Sequence, residues 1–157
     1  LPKELFLSIG EGCYIEPPLH ANWGGAHCRF GKNVYANFDL TLVDDTFIDV
    51  GDNVMMGPNV VLATAAHPVL PKLREKGYQY NAPICIGEGC WLGAGVIVLP
   101  GVTIGRGSVI GAGSVVTKDI PENVVALGVP CRVIRPIGEK DREVYFREKK
   151  IDPALLK

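Results

Sequence analysis

One histidine stands where a regular repeat is interrupted. The stretch TAAHPVLPKLREKGYQYNAPICIG, residues 64–87, contains His67 and has no period of its own, whereas the chain on both sides of it repeats every six residues. Imidazole has an unperturbed pKa of about 6.5, so a histidine can accept and return a proton near neutral pH. His67 is therefore a candidate general base, and the alternative is an ordinary loop histidine. His20 and His27 are interpreted as structural or surface residues.

The repeat that surrounds His67 is marked by aliphatic residues at a spacing of six. These residues are Val50, Met56 and Leu62 before the excursion and Ile86, Leu92, Val98, Ile104, Ile110 and Val116 after it. Leu62 and Ile86 are separated by a whole number of periods, so the excursion, residues 64–83, leaves and re-enters the repeat in phase. An earlier run ending at Leu42 is two residues out of phase with Val50, and a bulge between them would explain the slip.

The spacing predicts an all-β fold. Alternation within each unit suits a short strand with one buried face. Glycine directly after the aliphatic residue suits backbone that turns tightly or adopts a positive φ. Stacked coils would bury one continuous aliphatic column, whereas a helix would lose about 1 kcal/mol at each glycine. We therefore expect a parallel β-helix, whose handedness does not follow from the period.

Composition excludes several classes of protein. The chain has 157 residues, a net charge of -1, 47% hydrophobic and 21% charged residues. This balance is typical of a soluble globular protein and predicts neither a nucleic-acid nor a membrane partner. The five cysteines show no metal-ligand spacing and are expected to be free thiols in a reducing compartment, so we expect a cytoplasmic protein that requires no metal.

Longer motifs resemble a known family. The segments YANFDLTLVDD, GDNVMMGPNV, HPV, PICIGEGCWLGAGVIVLPGVTIG and VTKDIPENVVALGVPCRVIR occur in the order found in the maltose and galactoside O-acetyltransferases, and the resemblance extends over residues 5–136. It implies a left-handed β-helix, acetyl-coenzyme A as donor, a sugar hydroxyl as acceptor, and a homotrimer with active sites between subunits. Family members usually begin with a helical segment that helps to close the acceptor site, and this sequence shows none.

The resemblance also implies roles at the reaction centre. His67 aligns with the catalytic histidine of the family, which would remove the proton of the acceptor hydroxyl. Asn37 aligns with a polar residue at the reaction centre, where it would position the acceptor and stabilise developing charge. Without the resemblance, Asn37 is a turn asparagine inside a coil.

The resemblance also implies which residues bind the acceptor. Asp45 aligns with a carboxylate that binds sugar hydroxyls, with Asp44 as the alternative turn residue. In PPLHANWGG one extra residue leaves either Asn22 or Trp23 at the family's acceptor position, and we favour Asn22. Trp23 would either stack on a sugar face or pack in the core.

Donor-site residues are expected along the stacked coils. The small residues that match coenzyme A contacts are Gly57, Ala94 and Ala112, although hexapeptide turns need small residues in any case. Thr117 and Lys118 also match, and the lysine would supply a cation near phosphate. Arg132 and Arg135 match residues near the nucleotide. If their segment is extended, strand alternation places the two arginines on opposite faces.

The repeat region is predicted to form one domain, residues 1–136, followed by a helical cap or tail, residues 137–157. GEKDREVYFREKK is interpreted as a short amphipathic helix with Val144, Tyr145 and Phe146 on its packing side.

Three functions compete at this point. The favoured one is sugar O-acetylation from acetyl-coenzyme A. The second is a related β-helix acetyltransferase that acts on an antibiotic or another amino or hydroxyl acceptor. The third is a β-helix carbonic anhydrase or a scaffold without activity, but the anhydrase needs three histidines around one ion.

Overall fold

The computed structural model describes residues 5–157, and most of them wind into a prism with three strand-lined faces. The first face contains Ser8–Ile9, Cys28–Phe30, Ile48–Val50, Ile84–Ile86 and Thr103–Ile104. The second face contains Tyr14–Ile15, Tyr35–Ala36, Met55–Met56, Trp91–Leu92, Val109–Ile110, Val124–Gly128 and Cys131–Pro136. The third face contains Leu19–Ala21, Leu40–Val43, Val61–Ala63, Ile97–Val98 and Val115–Val116.

Strands in neighbouring coils pair in parallel. Only Cys131–Pro136 runs antiparallel to its neighbour among the strands of these three faces. The chain turns at three corners in each coil: the first corner joins the first and second faces, the second corner joins the second and third, and the third corner leads into the next coil. This is the parallel β-helix that the period predicts. The first four residues of the predicted domain 1–136 lie outside the described part of the chain.

The interior is the aliphatic column expected from the period. All nine repeat residues from Val50 to Val116 are buried, with at most 4% of their surface exposed. Each fully buried side chain of this kind stabilises the fold by roughly 1.5–3 kcal/mol relative to an exposed one. The column is continuous from coil to coil, so each coil contributes to the burial of its neighbours.

The phase slip comes from the third corner. Leu42 and Val98 both pair with Leu62, and Val50 and Ile104 both pair with Ile86, yet 8 positions separate Leu42 from Val50 and 6 separate Val98 from Ile104. The third corner of the first coil has one residue more than that of the second coil, because Ala21 pairs with Leu42 and Cys28 pairs with Ile48. Val50 pairs with Ile86 across the whole excursion, which keeps the register as predicted. The slip is a longer turn between two faces and not a bulge within a strand, which corrects the expectation from the sequence.

Glycines of the repeat serve close approach between coils. A Cβ atom on Gly57 would lie 2.7 Å from the backbone nitrogen of Ala94, and one on Gly93 would lie 2.7 Å from that of Ala112. Neither glycine has a positive φ. The left-handed backbone occurs at other turn positions, such as Asn53 (φ 56°) and Gly89 (φ 67°). The positive φ expected for these glycines is therefore wrong, and the close approach of the next coil is what requires a residue without a Cβ atom.

Two additions extend from the prism. The excursion begins and ends as an antiparallel pair of strands, Ala65–Ala66 and Tyr80–Asn81, and has a short helix at Pro71–Glu75. After the prism come a one-turn helix at Lys140–Glu143, a hairpin of Val144–Phe146 and Lys149–Lys150, and a 3-10 helix at Pro153–Leu156.

The amphipathic helix predicted for the C-terminal segment is therefore wrong beyond its first turn. Val144, Tyr145 and Phe146 have high strand propensity and form a hairpin strand, in which Tyr145 and Phe146 are exposed rather than packed. No helix among residues 5–157 is long and apolar enough to cross a membrane.

Candidate active site

A hydrogen-bonded cluster occupies the third corner of the first coils. The side-chain amide of Asn22 donates to Asp45 Oδ2 at 3.0 Å, and that of Gln79 donates to Asp45 Oδ1 at 3.1 Å. The Asn22 bond is the larger cause that holds the pKa of Asp45 below its ordinary value, and the Gln79 bond adds to it, against the opposing effect of partial burial. Asp45 is thus an ionised carboxylate with a donor already on each oxygen.

The neighbouring aspartate has a different environment. Asp44 is fully buried and accepts hydrogen bonds from the backbone N–H groups of Trp23 and Gly25, at 2.9 and 3.1 Å. It therefore fixes the turn in the coil beneath it, while Asp45 points outward. Trp23 is 61% exposed, which excludes the core position considered for it, and Asn22 is the residue that contacts Asp45.

His67 lies at the neck of the excursion and is exposed. Its Nδ1 is 3.0 Å from the backbone carbonyl oxygen of Tyr78. Because a carbonyl can only accept, Nδ1 carries the proton and Nε2 is left with its lone pair. A main-chain carbonyl has no sequence signature, so this partner of His67 could not be found from residue types.

The excursion is fixed at its base and exposed at its tip. Buried Thr64 donates from Oγ1 to the carbonyl of Val43, and Arg74 donates to the carbonyl of Pro68 at 2.9 Å. At the tip, Val69 is 92% exposed, and Leu70, Tyr78 and Tyr80 are also exposed. Within a single chain, these side chains have no cover.

Asn37 lies at the second corner. Its Oδ1 accepts the N–H of Phe38 at 2.8 Å, and within residues 5–157 no acceptor is bonded to its amide nitrogen. Gly57, Gly93 and Gly111 stack beyond it in successive coils, through backbone hydrogen bonds that begin with Asn37 N–H to Met56 O at 2.9 Å. The methyl groups of Ala94 and Ala112 are exposed along this column, so its surface is mostly backbone and small side chains.

The two halves of the candidate site are therefore on different corners of one chain. The strand Leu40–Val43 separates them with 4 residues, or about 13 Å of extended chain at ~3.3 Å per residue. Asn37 and the small-residue column lie on one side, and Asn22, Asp45 and His67 lie on the other. Thr117 and Lys118 are exposed at the third corner of the last full coil, on the His67 side.

Arg132 and Arg135 lie on the last strand of the second face. Arg132 is opposite Leu127 and Arg135 is opposite Val125, with an irregularity of register between the two pairs. This bulge shifts the alternation by one residue, so both arginines are on the same side of the strand and not on opposite sides.

The two arginines differ in their partners. Arg135 forms a bidentate ion pair with Asp141, at 2.7 and 2.8 Å, and the hydrogen bond holds the pKa of that carboxyl well below its ordinary value. Among the described residues, Arg132 donates only to the adjacent carbonyl of Cys131.

The other histidines are not arranged around a common point. His20 pairs with Asp39 at 3.1 Å, and the His27 ring bonds the carbonyl of Asp44. Residues 5–157 contain no group of three or more histidine, cysteine or acidic side chains suited to a metal ion. All five cysteines are free thiols, and burial raises the pKa of Cys28 to about 12.

Comparisons with known proteins agree with this fold. Residues 86–118 match the model of the family described as bacterial transferase hexapeptide (six repeats). The chain is 61% identical over 152 residues to a galactoside O-acetyltransferase of Lactococcus lactis, covering 97% of this chain and 73% of that protein. It is 51% identical to a galactoside O-acetyltransferase of Escherichia coli, covering 99% of this chain and 76% of that protein.

Solved structures give the same result. A galactoside acetyltransferase in complex with coenzyme A superposes with a TM-score of 0.93 and 52% identity, covering 96% of this chain and 74% of that one. A maltose O-acetyltransferase from Clostridium difficile superposes with a TM-score of 0.84 and 48% identity, covering 87% of this chain and 72% of that one.

The fold and the repeats define a hexapeptide-repeat acyltransferase, and the left-handed parallel β-helix expected from the resemblance is confirmed. Within that class, the chain belongs to the galactoside and maltose O-acetyltransferase family. Its enzyme class is acetyl-coenzyme A-dependent O-acetyltransferase.

Proposed function

We propose that the protein transfers the acetyl group of acetyl-coenzyme A to a hydroxyl group of a sugar, with His67 as the general base, in a cleft formed between two subunits of a homotrimer. The observation that carries this proposal is the hydrogen bond from His67 Nδ1 to the carbonyl of Tyr78, which leaves Nε2 as a base on the same corner as Asp45. The relatives named as galactoside O-acetyltransferases support a sugar acceptor.

The base acts on the acceptor hydroxyl. His67 Nε2 takes the hydroxyl proton as the oxygen forms its bond to the acetyl carbonyl carbon. The resulting imidazolium is stabilised by the Tyr78 carbonyl, which keeps its hydrogen bond to Nδ1 throughout. When the carbon–sulfur bond breaks, the same Nε2–H returns the proton to the departing thiolate, so the histidine ends the cycle neutral.

Polar groups at the two corners would orient the reactants. Asp45 has lone pairs beyond those used by Asn22 and Gln79 and can accept hydrogen bonds from sugar hydroxyls. Trp23 is exposed next to Asn22 and offers an aromatic surface to a sugar face. Within the described part of the chain, the amide nitrogen of Asn37 has no acceptor, so it can donate to the developing oxyanion as the preorganised donor that such a reaction needs.

The donor is proposed to lie along the second-corner column. Backbone at Gly57 and the exposed methyl groups of Ala94 and Ala112 allow close contact with the pantetheine arm. Beyond the arm, its proposed contacts are Arg132 of the same chain and Thr117 and Lys118 at the third corner of the neighbouring subunit, with the two cations near phosphate. Arg135 is a weaker candidate because Asp141 already occupies its guanidinium group.

The distance between the corners supports a site shared between subunits. One chain does not bring Asn37 to His67, because a four-residue strand lies between them. Three prisms packed around an axis could face a second corner with the third corner of a neighbour, and a cyclic trimer repeats this contact three times. The exposed apolar residues Met55 and Leu70, together with the half-buried Val61 and Leu99, are candidates for the contact.

The test is an acceptor panel with acetyl-coenzyme A, read by release of the free thiol. Wild type is expected to acetylate β-galactosides or maltose better than amino acceptors. His67→Ala is expected to lower kcat by about 10²–10⁴ with little change in donor KM. Glu75→Gln, an exposed residue of the same loop, is the matched control. Preferred acetylation of amines, or near-normal kcat in His67→Ala, would refute the proposal.

A further inference from the structure

Gln79 joins the two functional parts of the third corner. It belongs to the excursion, yet its side-chain amide nitrogen donates to Asp45 Oδ1 at 3.1 Å and to Asn81 Oδ1 at 2.9 Å. The residue before it, Tyr78, supplies the carbonyl that accepts from His67 Nδ1. One side chain thus ties the segment that holds the base to the carboxylate assigned to the acceptor.

The direction of these bonds is fixed by the chemistry of Asp45. Because the pKa of Asp45 lies below its ordinary value, its carboxylate is ionised near neutral pH and can only accept. The Gln79 amide must therefore present its NH2 group, and the two hydrogens are used by Asp45 and Asn81. This leaves no rotational freedom for the amide while both bonds persist.

The backbone makes this tether effective at the base. Tyr80 pairs with Ala66, the residue before His67, so Tyr78 and Gln79 lie just beyond the last rung of the two-stranded ladder. Past that rung, the Tyr78 carbonyl is held by the turn of the loop, with Tyr78 N–H bonding Leu73 O, and by the side chain of Gln79. Of these two interactions, only the hydrogen bond from the Gln79 side chain to Asp45 connects the loop to the prism.

We propose that Gln79 is a positioning residue for the acetyl transfer: it holds the Tyr78 carbonyl, and through it the His67 imidazole, at a fixed place relative to Asp45. This proposal rests on the proposed function, because it assigns the base to His67 and the acceptor to Asp45. Gln79 acts through those two groups and has no chemical step of its own.

The first test removes the tether. Gln79→Leu keeps the approximate size of the side chain and loses both bonds. We expect kcat to fall by about ten- to a hundredfold, as for a misplaced catalytic group, with an unchanged KM for acetyl-coenzyme A. Glu75→Gln in the same loop is expected to match wild type. A circular-dichroism melt of each variant reports whether the prism has stayed folded.

A second readout does not depend on activity. In wild type the ¹⁵N chemical shifts of the His67 ring, assigned with His67→Ala, are expected to report one dominant tautomer with the proton on Nδ1. In Gln79→Leu we expect averaging between the two tautomers. An unchanged tautomer in that variant would overturn the positioning role even if kcat fell.

The decisive experiment exchanges the two groups. Gln79→Glu alone places two carboxylates against each other and should lower kcat at least as much as Gln79→Leu. The double variant Asp45→Asn/Gln79→Glu restores an amide–carboxylate bond with the partners reversed. We expect it to recover kcat at least fivefold over Gln79→Glu, while the acceptor KM stays raised because the carboxylate has moved.

The outcomes separate the two proposals. If wild type acetylates no sugar, the proposed function fails and the tautomer experiment alone decides the role of Gln79. If wild type is active but Gln79→Leu equals Glu75→Gln in kcat and in tautomer, the role of Gln79 is refuted and the proposed function stands. Absence of recovery in the double variant would refute coupling through Asp45.

Discussion

Two inactive variants are expected to restore activity when they share one trimer. His67→Ala removes the base at the third corner, and Asn37→Ala removes the amide at the second corner. If each site takes one corner from one subunit and the other corner from its neighbour, some sites in a mixed trimer contain both residues intact. A site built within one chain would never be intact in such a mixture.

The size of the recovery follows from the geometry. The strand Leu40–Val43 keeps the two corners about 13 Å apart within a chain, so in the proposed trimer each site would use two chains. In a cyclic trimer with either two-to-one composition, one interface has an intact third corner facing an intact second corner. Every mixed trimer should therefore have one active site of three, and about one third of the wild-type kcat per trimer.

The assay uses co-expression with two different affinity tags. Purification over both tags in sequence removes the unmixed trimers, and thiol release with acetyl-coenzyme A and the best acceptor gives kcat. Sizing with light scattering checks that the species is a trimer. Each variant alone provides the background.

A matched control uses two residues of the same corner. Asp45→Ala and His67→Ala both damage the third corner, and Asp45 is linked to the His67 loop within one chain. Each site then lacks one of the two, so a mixture of these variants should show no recovery. Recovery in this control, no recovery with Asn37→Ala, or a monomeric wild type would each refute the shared site.

Three further predictions follow from individual contacts. Arg132→Ala is expected to raise the KM for acetyl-coenzyme A more than Arg135→Ala does, because Asp141 already pairs with Arg135. The ratio of the KM values for acetyl-coenzyme A and its 3′-dephospho form provides the check. If this ratio is the same in wild type and in both variants, neither arginine binds the 3′-phosphate. The acceptor KM is expected to stay flat from pH 7 to pH 5, because the hydrogen bond from Asn22 holds the pKa of Asp45 below its ordinary value and the carboxylate stays ionised there. An acceptor KM that rises over this interval would contradict the assignment of Asp45 to the acceptor. Cys28 is expected to resist alkylation in the native protein at pH 8, because burial, with smaller contributions from nearby aspartates, raises its pKa to about 12. Peptide mass mapping after alkylation would locate any label. Rapid labelling of Cys28 would show that the first face opens.

The prism was predictable because one physical requirement repeats in the sequence. Each coil must place an aliphatic side chain inside and a small residue where the next coil approaches, and both marks recur at six residues. The excursion was recognised for the same reason, since Leu62 and Ile86 stay in phase across it. The C-terminal segment lacks such a repeat, and there the charge pattern of residues 138–150 indicated a helix while Val144, Tyr145 and Phe146 form a strand.

Sequence reasoning was weaker where a single residue changes the geometry. The one extra residue at the third corner of the first coil decides whether Asn22 or Trp23 reaches Asp45. Only the strand register and the contacts of the structure show that Asn22 does. A bulge likewise reverses the alternation between Arg132 and Arg135. Insertions of this kind leave the hydrophobic pattern intact, so the pattern cannot report them.

The hydrogen-bond partner of His67 could not be predicted from the sequence for a different reason. The tautomer of His67 depends on the Tyr78 carbonyl, and any residue type at that position would supply the same oxygen. Side-chain identity can therefore affect the imidazole only indirectly, through a residue such as Gln79, which we propose as a positioning residue for the backbone of the loop. An isolated substitution of Tyr78 by Phe should thus leave kcat unchanged, whereas proline at the same position would remove the Tyr78 N–H bond to Leu73 and displace the carbonyl. A large loss of kcat in Tyr78→Phe would show that the phenol, and not the backbone, acts on the base.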